Sequence, residues 1–154
     1  MNVYITKGGR EAVPALIAEK LGPEVRVVHD PDGAPQLVGS PLSISISHSR
    51  RFAAIAVSDG ATRIGVDIEE PRIEQMRRVM SKFISDAEAP LWADRLPAAW
   101  TCKEAVFKAA GVPTIGLASI DLSTPGEARI PDGRRFRLQT VETDEYTLST
   151  ALPL

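Results

Sequence analysis

Asp67 and Glu69 stand two apart in the run Ile64-Gly65-Val66-Asp67-Ile68-Glu69. On a strand both side chains leave the same face, about 7 Å apart at the backbone. Val66 and Ile68 take the other face. Two like charges on one side of an apolar strand repel, so removing one of them should not destabilise the fold. Exposure to water, pairing with Arg or Lys, or a shared hard cation would each make the pair tolerable, and the segment alone fits a solvated sheet face as well as a cation seat. Glu104 and Lys108 are four apart on a helical stretch, with the acid first. A surface ion pair of that spacing is worth about 0.3–0.5 kcal/mol and is common. Trp100 lies four residues before Glu104 and so shares its stripe, which points to a partly buried face. Ser47-His48-Ser49 closes a strand. It reads either as a hydroxyl and imidazole cluster for phosphate or as a strand end with a solvated histidine; no nucleophile-elbow motif surrounds either serine. Nothing in the sequence activates Cys102, which reads as a small residue packed in a helix.

The elements that must position these residues follow from periodicity. Leu42, Ile44 and Ile46 alternate with Ser43, Ser45 and Ser47, a strand with one polar face. Phe52 to Ser58 is a second strand, Asp59-Gly60 a turn, and Ile64 to Glu69 a third strand. Connections this short predict an antiparallel meander. Upstream, Val3 to Thr6 and Val25 to Val28 are strand candidates. Glu11 to Leu21 is a helix with Pro14 in its first turn, and Asp30 to Pro35 is turn chemistry. Downstream, Ile73, Met76, Val79 and Met80 share a helix face. Ser85 to Glu88 has capping-box spacing. A further helix runs from about Pro97 to a Gly111 stop. Ile120–Ser123, Arg134–Val141 and Tyr146–Leu152 read as strands. Blocks of strands and helices, without strict alternation, indicate an α+β fold.

Composition bounds the function. The chain has 154 residues, 44% apolar and 25% charged, which suits one globular domain. Its 18 basic and 20 acidic residues leave a net charge of −2, which does not favour nucleic-acid binding. The single cysteine excludes an internal disulfide, and with only His29 and His48 beside it a transition-metal cluster is disfavoured. A metal here would be a hard cation held by carboxylates. No segment reaches the ~20 apolar residues of a membrane span. The opening MNVYITKGGR lacks the apolar core of a signal peptide, so the expected compartment is the cytoplasm.

The order Ser-Ile-Ser-His-Ser, then Gly-Val-Asp-Ile-Glu about 17 residues on, then Trp-Thr-Cys-Lys-Glu-Ala-Val-Phe-Lys-Ala about 31 further, resembles the three signature motifs of the 4′-phosphopantetheinyl transferase superfamily. The spacing is similar to that of the type acting on peptide-synthetase, polyketide and fatty-acid carrier proteins. The resemblance spans Leu42 to Gly111. It implies that fold, with antiparallel sheets and packed helices. It also implies transfer of the phosphopantetheine arm of coenzyme A to a serine of an acidic acyl or peptidyl carrier protein, releasing adenosine 3′,5′-bisphosphate. By motif position it implies Asp67 and Glu104 as Mg²⁺ ligands, with Glu69 a third or water-mediated one. Glu104 is then the candidate base, directly or through water, and Lys108 sits on the phosphate under attack or the one leaving. Lys103 is expected to steady phosphate, and Ser47 and His48 to contact coenzyme A phosphates.

The chain departs from the family pattern in its first part. Only 44 residues precede Ser45, so a shortened first lobe, about residues 1–58, is expected before a motif-bearing second lobe, about 59–154, within one domain of residues 1–154. Gly33-Ala34-Pro35 stands where the family carries Gly-Lys/Arg-Pro. Arg50 and Arg51 are the bases expected to compensate, with Lys7 and Arg10 as first-lobe candidates. Arg72, Arg77, Arg78 and Lys82 follow the Asp67 strand and, with Arg50 and Arg51, read as a surface for an acidic partner or as a solvated helix face. The alternative function is a noncatalytic member of the same fold that binds coenzyme A or a carrier protein. No nucleic-acid or membrane partner is expected.

Overall fold

The computed structural model describes residues 1–60 and 62–154. Nine strands are described: β1 (Asn2–Lys7), β2 (Arg26–His29), β3 (Pro35–Val38), β4 (Ser43–His48), β5 (Phe52–Ser58), β6 (Gly65–Glu69), β7 (Glu127–Arg129), β8 (Arg135–Glu142) and β9 (Thr147–Pro153). The α-helices are α1 (Val13–Leu21), α2 (Ile73–Val79), α3 (Ala89–Trp92) and α4 (Leu96–Ala110). The sheets are β1-β5-β4, the hairpin β2-β3, and β6-β9-β8-β7, and every pairing is antiparallel. The architecture is α+β, as the blockwise pattern predicts.

Helix α1 covers one face of the first sheet, where Leu16 and Ile17 pack on Ile44, Ile55 and Val57. On the other face Ala54 and Ala56 meet Val66 and Ile68 of β6, joining the two larger sheets in one core. Helix α4 lies on the four-stranded sheet, its Ala99, Cys102, Ala105, Val106 and Ala109 packed in a core with Phe83, Phe136 and Ala151. Fully buried phenylalanines such as these contribute about 1.5–3 kcal/mol each. The alanines let the helix lie low on the sheet. Closest approach is at Gly65, where a Cβ would collide with the Ala105 carbonyl. Glycine is required there by proximity, not by backbone conformation.

Several expectations are corrected. The predicted meander breaks after β5, because β5 already has β1 and β4 on its two edges. β6 therefore pairs with β9, Asp67 opposite Ser149, and starts the second sheet. The polar face expected on β4 is present and is covered, with Ser45 and Ser47 buried. The Asp30–Pro35 turn leads into a strand, β3, that sequence reading missed because Gly39 and Pro41 follow it at once. The first helix opens as a 3-10 turn over Gly9–Ala12. Around Ile120–Ser123 only an isolated bridge, Asp121 to Arg129, replaces the expected strand. The capping box forms as expected: the Ser85 N–H donates to Glu88 Oε2 at 2.9 Å, and the Glu88 N–H donates to Ser85 Oγ at 3.3 Å.

Candidate active site

Strand β6 presents Gly65, Asp67 and Glu69 on the face toward α4, while Val66 and Ile68 point into the core. Because Gly65 lets α4 approach, one turn of that helix brings Glu104 and Lys108 over the acidic pair. Lys108 Nζ donates to Asp67 Oδ1 at 2.7 Å and to the Val66 carbonyl at 2.9 Å. Ser47, on β4, donates its hydroxyl to the same Asp67 Oδ1 at 2.8 Å. Glu69 is held by Arg72, whose Nη2 donates to both carboxylate oxygens at 2.9 and 2.6 Å.

Glu104 is different. Its carboxylate accepts no hydrogen bond from a described residue. Burial, then the nearby Asp67 carboxylate, push its carboxyl above the ordinary glutamate range; Lys108 opposes this and Glu69 adds to it. A half-buried carboxyl near a second carboxylate, with Lys108 close by, is an electrostatic arrangement that a divalent cation would relieve. Among the described residues no group of three or more His, Cys, Asp or Glu side chains is disposed to hold a metal ion. The donor set that remains is the two-carboxylate one, Asp67 with Glu104. It fits Mg²⁺, which takes one or two carboxylates and fills its other positions with phosphate oxygens and water. Glu69 would join through water or by exchanging Arg72.

Beside this cluster lies a cleft of about 1290 Å³ between the first sheet, the β2-β3 hairpin and the C-terminal end of α4. Lys108 and the exposed His48 stand on its wall, so the carboxylate cluster and the cleft share one lysine. Arg10, a first-lobe candidate, lines it, and so do Arg26 and Arg63. Arg63 is oriented by Asp30, 3.1 Å from its Nη2. Sequence reading missed Arg26 and Arg63. Arg26 opens a short apolar strand and Arg63 stands two residues before Gly65, but only the folded chain puts both on one wall.

The remaining expected residues lie elsewhere. Arg50 is exposed and Arg51 is paired with Glu70 at 2.7 Å; neither is on the cleft wall. Lys103, expected to steady phosphate, is fully buried in an ion pair with Glu88 at 2.9 Å. Glu88 also accepts the Leu122 N–H at 2.8 Å, so this pair ties α4 to the segment before β7. Ser47 is buried and is not on the cleft wall. Cys102 is buried, and burial pushes its thiol up, away from nucleophilic thiolate.

A model of the 4′-phosphopantetheinyl transferase superfamily matches residues 63–151, more than half of the chain, and contains Asp67, Glu69, Glu104 and Lys108. The chain belongs to that superfamily, whose members are transferases. None of the curated proteins matches it. Among the described residues no helix is long and apolar enough to cross a membrane.

Proposed function

We propose that this protein transfers the 4′-phosphopantetheine arm of coenzyme A to a serine hydroxyl of an apo acyl or peptidyl carrier protein, in the cytoplasm, with Mg²⁺. The observation that carries the reading is the convergence of Asp67 and Glu104 on Lys108, which stands on the wall of a cleft also lined by Arg10, Arg26, Arg63 and His48. A cleft of that size with several bases suits a ligand that is both long and polyanionic, as coenzyme A is.

In the reaction the carrier serine oxygen attacks the phosphorus that bears the pantetheine chain. Its bond to the bridging pyrophosphate oxygen breaks, and adenosine 3′,5′-bisphosphate leaves. Glu104 takes the serine proton, directly or through a water. Lys108 uses two donors on Val66 and Asp67 and has a third to direct at a phosphate oxygen where charge accumulates. Asp67 and Glu104 would hold Mg²⁺, and that ion would neutralise charge on the pyrophosphate. Arg10, Arg26 and Arg63 would bind the other anionic groups of coenzyme A and fix its position.

The test is mass spectrometry of a panel of apo acyl and peptidyl carrier proteins incubated with the protein, coenzyme A and Mg²⁺. A carrier that gains one phosphopantetheine, and does not when the metal is chelated, is the expected result. Coenzyme A binding with no mass gain on any carrier would instead identify a noncatalytic binding member of the fold.

A further inference from the structure

Strands β4 and β6 are edge strands of different sheets, and they meet without a backbone ladder. Their join is made by serine hydroxyls. Ser45 Oγ accepts the Val66 N–H at 3.0 Å, and Ser47 Oγ accepts the Ile68 N–H at 3.2 Å. Two donors that an edge strand leaves without a ladder partner are thereby satisfied by side chains of the neighbouring sheet, which explains why the polar face of β4 is buried. The two serines are equivalent in this respect. They differ in one bond to the described residues: Ser47 passes its hydroxyl proton on, to Asp67 Oδ1, and Ser45 does not.

We propose that Ser47 is a positioning residue for the cation seat at Asp67, acting through that carboxylate and not on coenzyme A. The inference rests on the transferase reading above. A hydroxyl has one proton. Accepting from the Ile68 N–H fixes Oγ, and its proton then fixes Asp67 Oδ1 from the β4 side while Lys108 fixes it from the α4 side. Oδ2 accepts nothing from a described residue. The carboxylate plane is therefore set by two donors on one oxygen, and Oδ2 is the oxygen turned out for a cation. Lys108 alone would set this poorly, since its flexible side chain must also serve phosphate. Groups that orient a ligating carboxylate in this way typically change metal affinity 10–100-fold when removed, so about that loss is expected here.

The experiment compares wild type, Ser45→Ala, Ser47→Ala, Ser47→Thr and Asp67→Ala by Mn²⁺ binding, read by electron paramagnetic resonance with and without coenzyme A, alongside melting temperature. Ser45→Ala loses one bond between β4 and β6 and Ser47→Ala loses two, so both should melt lower than wild type, Ser47→Ala the more so. Only Ser47→Ala should weaken Mn²⁺, by at least about tenfold. Ser47→Thr, which keeps the hydroxyl, should restore the affinity. Should Ser47→Ala not fold, Ser47→Cys supplies a poor donor of similar size and should show the same weakening. Equal Mn²⁺ affinity in wild type, Ser45→Ala and the Ser47 variants would overturn the inference while leaving the metal reading intact, provided Asp67→Ala loses the ion. A wild type that binds no Mn²⁺ in either condition would overturn the metal reading and this inference together.

Discussion

Asp67 and Glu104 are both acids of one cluster, yet removing them should move stability in opposite directions. The sequence alone argues that losing Asp67 relieves repulsion. In the fold Asp67 instead accepts from Ser47 and Lys108, so Asp67→Ala leaves a buried hydroxyl without its acceptor and a part-buried ammonium with only the Val66 carbonyl. A loss of about 1–3 kcal/mol is expected in denaturant unfolding at neutral pH. Glu104 has no such partners. Its carboxyl is raised by burial and by Asp67, so the folded chain holds that proton more tightly than the unfolded chain does. A raised group contributes stability that is full below its unfolded pKa and is lost as pH rises through its folded one. At neutral pH Glu104 is therefore a liability, and Glu104→Gln should melt higher than wild type. The gain should vanish below about pH 4.3, the ordinary glutamate value. A melting temperature for Glu104→Gln at or below wild type at pH 7 would contradict the electrostatic picture of the cluster.

Helix α4 shows how far the sequence carries the elements. Its span, its proline start and its glycine stop are readable from residues 96–111, and so is the placement of Glu104 and Lys108 on one turn. What Lys103 does is not readable there. Its partner Glu88 is identifiable as a capping-box acid, but that this acid also reaches 15 residues along the chain to α4 depends on how α3 packs, which no local pattern encodes. The same holds for β6: its alternation is plain, whereas its pairing with β9 follows only once β5 is seen to have both edges taken. The serines of β4 are a third case, since period-2 polarity signals a distinct face without saying whether water or another strand covers it. The role of Lys103 is open to a direct check. Lys103→Met would leave Glu88 charged and buried, at a cost of about 3–5 kcal/mol in chemical denaturation. Burial works against the Glu88 carboxylate, but the Ser85 N–H, Lys103 and the Leu122 N–H outweigh it and hold it below the ordinary range. A lowered acid stabilises above its unfolded pKa and loses that contribution as pH falls through the folded one. The gap between wild type and Lys103→Met should thus close in acid. A lysine serving phosphate would instead change the KM for coenzyme A at unchanged stability.

At the scale of the whole molecule the question is how a chain of net charge −2 would receive an acidic carrier. Six bases lie in and around β6 and α2, but three are answered by acids: Arg72 by Glu69, Arg77 by Glu74 and Arg51 by Glu70. The field of this surface is therefore weaker than the sequence suggests. Arg78 and Lys82 are exposed and make no ion pair with a described residue, and the Arg77–Glu74 pair is itself exposed and cheap to exchange. None of these residues is on the wall of the cleft that would take coenzyme A. The two substrates should therefore respond separately. Combining Arg77→Glu with Arg78→Glu should raise the KM for an acidic carrier protein by about tenfold, a change of about 1.4 kcal/mol, and leave the KM for coenzyme A nearly unchanged. The wild-type carrier KM should also rise with salt, as screening shortens to about 8 Å near physiological ionic strength, and the double mutant should be less salt-sensitive. Steady-state kinetics at two salt concentrations decides the matter: a normal carrier KM at low salt in the double mutant would mean that the carrier docks on a face other than α2.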